Sequence, residues 1–342
     1  MRNTANRDVG LIVGYVVLSF LLAALLSPPL YQIGKGFAEA SASRETVDGA
    51  AWLAAKAAKA TFPVYFKRAL LISALILLFP LLHVLKLKVD PRKLRESRWS
   101  IYLPQVIRDR EVGQPLERNQ RAWLHLGLGL AFSSGFFLFM ALLLIQIGWF
   151  QWQPDASFSA FGKALTGAVF AAALIAIVEE ALFRGALLGI FLRAFRPGLA
   201  ITLLSLLFAG VHFLQPPSGA EVSTPGTTAA GFEMLQLILQ RLTQPVDLLY
   251  HFASLFVVGL ILAYARCGTA SLWLPIGLHA GWIICLKVFG KLASRDPDLL
   301  PKYDAIIGTT LVEGFLPLAT LLLTWAALSL WLRPPDDSPR LR

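Results

Sequence analysis

Long apolar runs separated by short polar connections dominate the pattern of hydrophobic and polar positions along the chain. Each run is continuous, which predicts buried helices and argues against transmembrane β-strands, in which apolar and polar positions alternate. A helix needs roughly 20 apolar residues to cross a bilayer. Eight runs come close to or exceed this length, and they predict an all-α, polytopic integral membrane bundle of about eight helices. The predicted spans are residues 9–26, 69–85, 123–149, 161–195, 198–213, 248–265, 271–289 and 311–332.

Two segments outside the predicted spans have a distinct composition. Residues 50–60 consist of Ala, Trp, Leu and Lys, and Lys56 and Lys59 are three positions apart, which places both lysines on one helix face. This pattern is typical of a helix that lies on the bilayer surface. Residues 86–121 hold ten Lys and Arg against five Asp and Glu, which predicts a basic cytoplasmic linker.

A longer connection follows the fifth predicted span. Residues 214–247 are rich in Pro, Gly, Ser and Thr, and their second half predicts a short helix at 232–242. The segment is either a solvated connection, which we favour, or a lid that hangs from the end of the span.

A stripe of small residues marks the third predicted span. Gly127, Ala131 and Gly135 recur every four residues and therefore share one helix face. In membranes, small side chains let two helix backbones approach closely. We therefore expect this stripe to contact a neighbouring helix.

The composition agrees with a membrane protein. Hydrophobic residues make up 56% of the chain and charged residues only 15%, against about 25% charged residues in a typical soluble domain. A soluble enzyme is therefore excluded, because too few charges are present to cover a water-facing surface. Cys267 and Cys285 lie at opposite ends of one apolar stretch and predict neither a disulfide nor a metal cage.

The net charge of +10 comes from basic residues that lie between the apolar runs. This distribution favours membrane lipid, and no nucleic acid, as their partner. The connections on the side of the N-terminus carry more Lys and Arg than the opposite ones, so the positive-inside rule places both termini in the cytoplasm. We expect an integral protein of the bacterial cell (inner) membrane.

The pattern divides the chain into three regions. Residues 1–121 contain two spans, the surface segment and the basic linker. Residues 122–290 form a membrane-embedded core that carries the polar motifs. Residues 291–342 contain an outer loop, the last span and a short tail.

Ionisable residues inside the predicted spans indicate function, because placing one there costs at least ~2.5–3.5 kcal/mol. The fourth span holds Glu179, Glu180 and Arg184. Glu180 and Arg184 are four positions apart and can pair on one helix face. Glu179 is turned by about 100° from Glu180 and faces another helix or a water. A carboxylate without a cation beside it is suited to act as a general base.

Two histidines lie inside other predicted spans, His212 in the fifth and His279 in the seventh. At ~1.5 Å of helix rise per residue, Glu179 and both histidines can lie within the bilayer core. One carboxylate and two imidazoles that converge could hold a metal-bound water. They could equally activate a water directly and stabilise an oxyanion.

Three polar elements, each in an apolar span, occur in a characteristic order. They are Glu-Glu-x-x-x-Arg at 179–184, Phe-x-x-x-His at 208–212, and the later His279. In this order they resemble the CPBP family of intramembrane proteases, which joins the CAAX prenyl endopeptidases to bacterial bacteriocin-processing and Abi-type proteins. The resemblance covers roughly residues 160–290. It implies an intramembrane endopeptidase that cleaves a membrane-associated protein or peptide, with prenylated substrates as one option.

The resemblance also implies roles for individual residues. Glu179 would activate the water, His212 would share the water or the proton transfer, and His279 would stabilise the oxyanion. Glu180 and Arg184 would be the supporting pair. The spacing of four residues places Phe208 on the same helix face as His212, and we expect its ring to pack against that imidazole.

The resemblance leaves the metal question open. The family is described both as metalloproteases and as metal-independent glutamic proteases. No cofactor is therefore assigned with certainty, and a divalent metal such as zinc would be held by Glu179, His212 and His279.

One position departs from the family pattern. The third element usually reads His-x-x-x-Asn or Asp, whereas the fourth residue after His279 is Ile283. The change leaves open a modified mechanism or a non-catalytic relative. A proton- or ion-coupled transporter is a further alternative, because buried Glu and His also mark ion pathways.

Overall fold

The computed structural model describes residues 2–42, 49–84, 121–217, 219–240, 245–269, 271–299, 303, 305–308 and 311–332. Nearly all regular structure in these ranges is helical, which confirms the predicted all-α membrane fold. The basic linker lies outside the described residues except for Arg121, and the C-terminal tail from residue 333 lies wholly outside them.

The described elements are eleven α-helices, one π-helical segment and two short strands. In chain order they are α1 (Arg2–Ala42), α2 (Gly49–Lys59), α3 (Phe62–Val84), α4 (Ala122–Gln146), β1 (Phe150–Trp152), α5 (Phe158–Glu180), the π-helix (Ala181–Leu187), α6 (Leu188–Ala194), α7 (Pro197–Phe213), α8 (Thr228–Gln240), α9 (Pro245–Thr269), α10 (Trp273–Leu292), β2 (Ala293–Arg295) and α11 (Phe315–Trp331).

Among the described residues, six helical stretches are long and apolar enough to cross a membrane. They are Val9–Ser41, Phe62–Leu81, Ala122–Gln146, Phe158–Leu192, Tyr250–Thr269 and Trp273–Leu292. The apolar helices α7 and α11 have 17 residues each, short of this criterion. All eight predicted spans are therefore helical, but the count of eight crossings is not confirmed.

The chain separates into two compact units. The first comprises Met1–Lys88 and Val211–Leu248, and the second comprises Val89–Gly210 and Leu249–Arg342. The boundary at residue 210 falls inside α7, so this helix contributes to both units. The three predicted regions remain a prediction.

The first unit is built on an antiparallel pair of long helices. The hydroxyl of Tyr15 on α1 donates a hydrogen bond to the carbonyl of Ala74 on α3 over 2.9 Å. Near the other end of the pair, the rings of Tyr31 and Phe62 lie 5.7 Å apart. The segment predicted at 50–60 is helical and forms α2, between the two long helices in the chain. Its position on the bilayer surface remains a prediction.

Helix α8 packs against the same helices of the first unit. Its Met234 and Ile238 are buried in one core cluster with residues of α1 and α3. A methyl group at Gly231 would collide with the carbonyl of Ala24, so glycine permits the close approach to α1. The helix predicted at 232–242 is thus confirmed, with an earlier start at Thr228.

The second unit contains a very close contact between α4 and α10. A methyl group at Gly129 would meet the carbonyl oxygen of Leu274 at 2.5 Å, and one at Gly277 would collide with the carbonyl of Leu126. One turn further, Gly281 faces the hydroxyl of Ser133. These small residues bring the two backbones together.

The predicted stripe at Gly127, Ala131 and Gly135 is wrong as the close-packing face. A methyl group at Gly127 or at Gly135 would meet no atom within 4 Å. Small size is necessary for close packing but does not specify which side of a helix its neighbour covers. In this helix the contact falls two residues later than Gly127, on Gly129 and Ser133.

Helix α5 packs its alanines against α10. Ala172, Ala176 and Ala280 form a buried cluster, and Ile283 packs against it. This contact holds the carboxyl end of α5 next to the middle of α10. The strands β1 and β2, which the sequence did not predict, pair antiparallel from Phe150 opposite Arg295 to Trp152 opposite Ala293.

Candidate functional site

The two carboxylates stand where the winding of the helix changes. Glu179 and Glu180 are the last residues of α5, and the following seven residues, Ala181–Leu187, are π-helical. A π-helical turn inside an α-helix is rare and is found frequently at functional sites. The motif Glu-Glu-x-x-x-Arg therefore crosses the junction between two helical geometries.

The structure contains the ion pair that the spacing predicted. Arg184 Nη1 donates a hydrogen bond to Glu180 Oε1 over 3.0 Å. Both side chains are almost completely buried, with exposed fractions of 1% for Arg184 and 0% for Glu180. Removing two charges from solvent is costly, so this pair requires further polar partners.

Arg184 obtains those partners from two other helices. Its Nη2 donates to the carbonyl of Gly259 on α9 over 3.2 Å. Its guanidinium also lies over the ring of Phe208 on α7, with Cζ 4.4 Å from the ring centroid. Such a cation–π contact is worth ~2 kcal/mol when desolvated. The guanidinium therefore joins α5, α7 and α9 at one point.

Glycine at position 259 permits this geometry. A methyl group there would meet Ser205 Cβ at 2.9 Å, closer than real side chains come. Helix α9 can therefore approach α7 closely enough to present its carbonyl to Arg184. Sequence reasoning missed Gly259, because a single glycine in an apolar span gives no signal about its neighbours.

His279 lies between the two carboxylates. Its Nδ1 is 2.9 Å from Glu180 Oε1, and its Nε2 is 3.9 Å from Glu179 Oε2. An ionised carboxylate can only accept hydrogen bonds, so Nδ1 carries the proton towards Glu180. This bond fixes the orientation of the imidazole and turns Nε2 towards Glu179.

The two carboxylates differ in their access to solvent. The side chain of Glu179 is 27% exposed, whereas that of Glu180 is 0% exposed. The gap of 3.9 Å between Glu179 Oε2 and His279 Nε2 exceeds the length of a direct hydrogen bond, and a water can bridge groups at such a separation. Glu179 is thus the accessible acid and Glu180 the buried one.

Phe208 contacts both parts of this arrangement. Its ring lies edge-on to the imidazole of His279, with centroids 6.2 Å apart, and to the ring of Phe183 at 5.1 Å. Its contact with the Arg184 guanidinium completes an aromatic wall beside the polar groups. These contacts agree with a supporting role for Phe208. The sequence led us to expect packing against His212, and the imidazole in the contact described here is that of His279.

His212 is half-buried at the end of α7, four residues after Phe208. It lies beyond the boundary at residue 210, in the part of the helix that belongs to the first unit. Its participation in the site therefore remains a prediction from the motif.

The packing of Ile283 shows why an apolar residue fits at this position. It is one helical turn after His279 on α10 and packs against the cluster formed by Ala172, Ala176 and Ala280. The position that carries Asn or Asp in the resembled pattern is thus part of an apolar contact between α5 and α10.

Two polar atoms of the buried ion pair have no hydrogen-bond partner among the described residues, Glu180 Oε2 and Arg184 Nε. Buried polar atoms of this kind are usually satisfied by an ordered water. The interior next to the pair is therefore a place where water is expected.

The described residues do not assemble a metal site. No group of three or more His, Cys, Asp or Glu side chains among them is arranged to hold a metal ion. A catalytic zinc typically has three protein ligands. In this cluster His279 Nδ1 and Arg184 both contact Glu180 Oε1, and Glu179 Oε2 faces His279 Nε2.

The fold and the site define a class of protein, namely a polytopic helical membrane protein with a cluster of two acids, an imidazole and a guanidinium. Residues 160–285 match the model of a family described as Type II CAAX prenyl endopeptidase Rce1-like. The match confirms the resemblance indicated by the three motifs, and it supports a membrane protease. No curated protein and no solved structure matches the chain.

Proposed function

We propose that this protein is an intramembrane endopeptidase in which Glu179 activates a water molecule. The observation that carries the proposal is the placement of His279, which Glu180 holds through Nδ1 at 2.9 Å while Nε2 faces Glu179 at 3.9 Å. The accessible carboxylate of Glu179 can act as a general base, and the oriented imidazole of His279 can donate a hydrogen bond to the same reacting group.

The proposed mechanism uses both ring nitrogens of His279 as donors, which requires a doubly protonated imidazole. Glu179 and Glu180 carry two negative charges, Arg184 carries one positive charge, and an imidazolium at His279 makes the cluster neutral. A neutral cluster costs less to bury than a charged one. In this state His279 donates towards Glu180 from Nδ1 and towards the substrate from Nε2.

The reaction begins when Glu179 removes a proton from the water and the resulting hydroxide attacks the peptide carbonyl carbon. The carbonyl oxygen becomes an oxyanion, which accepts a hydrogen bond from His279 Nε2. Glu179 then returns its proton to the leaving nitrogen as the C–N bond breaks. The products are a carboxylic acid and an amine, and the mechanism uses only side chains and water.

The other motif residues have supporting roles in this proposal. Glu180 and Arg184 hold the imidazole, and Phe208 excludes bulk water from its face. His212 enters from the motif alone, as a group that shares the water or its proton. The substrate is a membrane-associated protein or peptide, and the name of the matched family suggests a prenylated one.

The test is Glu179→Gln in the full-length protein reconstituted in liposomes. A matched control is Glu39→Gln, which removes one carboxylate at an exposed position of α1. Cleavage of a peptide library, with and without a prenylated cysteine, is followed by mass spectrometry. We expect the Glu179 variant to lose at least about 10²-fold in rate, the scale of one general base.

Two results would contradict the proposal. Cleavage by Glu179→Gln at the rate of the parent would exclude Glu179 as the base. A parent that cleaves nothing would favour a non-catalytic relative, the alternative that Ile283 raises.

A further inference from the structure

An open basic pocket lies in the first unit, and none of its lining residues belongs to the proposed cleavage site. It has a volume of about 480 Å³, within the range of about 300–1,000 Å³ for small-molecule sites. Helix α2 and the first turns of α3 line it. The lining residues used below are Trp52, Lys56, Lys59, Val64 and Arg68.

The charge of this basic pocket is one-sided. Its lining contributes three cations, Lys56, Lys59 and Arg68, and none of the described residues that line it is acidic. All three cations are solvent-exposed. The pocket therefore attracts anions, and a group with several acceptor oxygens, such as a phosphate, could bind more than one cation at once.

Aromatic rings hold two of the cations in place. Lys56 Nζ lies 3.8 Å from the centroid of the Trp52 ring, and Arg68 Cζ lies 5.3 Å from that of Tyr65. Cation–π contacts of this kind restrict the side chains while leaving their N–H groups available. Less side-chain freedom then has to be lost when an anion binds.

The position of the pocket relates it to the membrane. The candidate span in α1 ends at Ser41 and the next begins at Phe62, so the pocket lies beside the connection between two antiparallel spans. Trp52 is 59% exposed there. Trp is enriched at the membrane–water interface, where the phosphates of lipids also lie.

An apolar stripe continues from the basic pocket along α3. Val64, Arg68, Leu71 and Leu75 follow one another at intervals of four, three and four residues, which places them on one helix face. Leu71 is 49% exposed and Leu75 is 44% exposed. An extended hydrocarbon chain could therefore run along this face from a headgroup held at Arg68.

We propose that the basic pocket binds the phosphate of an anionic phospholipid, with an acyl chain along the face of Leu71 and Leu75. A lipid headgroup and a free anion could both offer a phosphate to the pocket. The apolar stripe on α3 favours the lipid, because only a lipid has a hydrocarbon chain to place there. The site is independent of the proposed proteolysis.

The experiment measures lipid binding to the purified full-length protein in nanodiscs of phosphatidylcholine that contain increasing phosphatidylglycerol. The test variant combines Lys56→Gln, Lys59→Gln and Arg68→Gln. The control combines Arg121→Gln, Lys163→Gln and Lys291→Gln, which removes three exposed cations from the second unit. Thermal unfolding verifies that both variants are folded.

We expect the test variant to bind phosphatidylglycerol roughly 10- to 100-fold more weakly than the parent, because each basic residue near an anionic surface contributes about a fivefold factor. The control should stay within about twofold of the parent. Equal losses in the two variants, or no loss in either, would overturn the proposal.

Two further probes distinguish a lipid from a free anion. Inorganic phosphate and glycerophosphoglycerol, which has the headgroup without acyl chains, are tested as competitors against the bound lipid. We expect both to compete at least about 10-fold more weakly than a short-chain phosphatidylglycerol, since each buried CH₂ adds to binding. Competition by either at the strength of the lipid would show an anion site and refute the lipid assignment.

Discussion

At the scale of single residues, Glu180 and Arg184 carry opposite charges in an interior that solvent does not reach. Each has an exposed fraction of 1% or less. Removing one partner of such a pair leaves the other buried and uncompensated, which typically costs about 3–5 kcal/mol. Removing both charges together avoids this cost.

A double-mutant cycle tests this coupling. Glu180→Gln and Arg184→Gln should each lower the thermal unfolding midpoint in detergent strongly, by the equivalent of about 3–5 kcal/mol. The double variant should lose clearly less than the sum of the two single variants. Additive losses would show that the pair contributes no coupling and that other contacts position the two side chains.

His279 permits a second prediction, because its two ring nitrogens have different partners. The amide of Asn can replace Nδ1 in the bond to Glu180 but cannot reach the position of Nε2. His279→Asn should therefore keep the unfolding midpoint within a few degrees and reduce the cleavage rate by about 10²–10³-fold, the scale of one oxyanion donor. His279→Leu, which loses both bonds, serves as the control and should lower the midpoint as well. A cleavage rate for His279→Asn equal to that of the parent would contradict the role of Nε2.

The sequence was sufficient to predict the pair of Glu180 and Arg184, but not the bond between His279 and Glu180. The pairing of Glu180 with Arg184 follows from local helix geometry, so their spacing was sufficient. The bond from His279 to Glu180 joins residues 99 positions apart and depends on how α10 packs against α5. The order of the motifs predicted that Glu179 and His279 belong to one site. It did not predict the hydrogen bond between Nδ1 of His279 and Glu180.

At the scale of elements, the contact between α4 and α10 depends on small residues at defined positions. Gly277 and Gly281 leave no room for a methyl group, whereas Gly127 and Gly135 have open space. The same substitution therefore has different expected effects within one pair of helices.

We expect Gly277→Ala and Gly281→Ala to lower the free energy of unfolding by about 1–3 kcal/mol each, because overpacking separates the helices. Gly127→Ala and Gly135→Ala are matched controls and should be neutral or stabilising by up to about 1 kcal/mol, since Ala is the better helix former. Thermal unfolding in detergent provides the comparison. Equal effects at all four positions would place the close contact elsewhere.

Element positions were largely predictable, and element contacts were not. Apolar length located all eight predicted spans as helices and also the amphipathic segment that became α2. The change to a π-helix at Ala181 and the pairing of β1 with β2 carry no local pattern that a single sequence could reveal. Both depend on contacts made by distant parts of the chain.

At the scale of the whole molecule, the composition was sufficient for the fold class, because 56% apolar residues cannot be buried in a soluble domain of this size. The grouping of segments was not predictable. Residues 211–248 return to the first unit, where Met234 and Ile238 of α8 join the core of α1 and α3. No feature of the sequence of residues 228–240 predicts that this helix packs against α1 and α3.

The helical run that carries the carboxylates is unusually long for a bilayer. Phe158–Leu192 comprises 35 residues, or about 50 Å at ~1.5 Å per residue, against about 40–45 Å for a whole bilayer with its headgroups. Such a helix must tilt or extend beyond the membrane. Either way, its fit depends on the thickness of the host bilayer.

We therefore expect the thermal stability and the cleavage rate to be higher in vesicles of long-chain phosphatidylcholine than in those of short-chain phosphatidylcholine. Measuring both quantities across a series of chain lengths tests this expectation. A flat response, or an optimum in the thinnest bilayer, would contradict it.

Glu179 is the twenty-second residue of that run, counted from Phe158. If the helix tilts to adapt to its host membrane, the depth of the two acids changes with the tilt. The thickness of the lipid bilayer would then set the depth of the reacting water. That depth would determine which peptide bond of a membrane-associated substrate is cleaved.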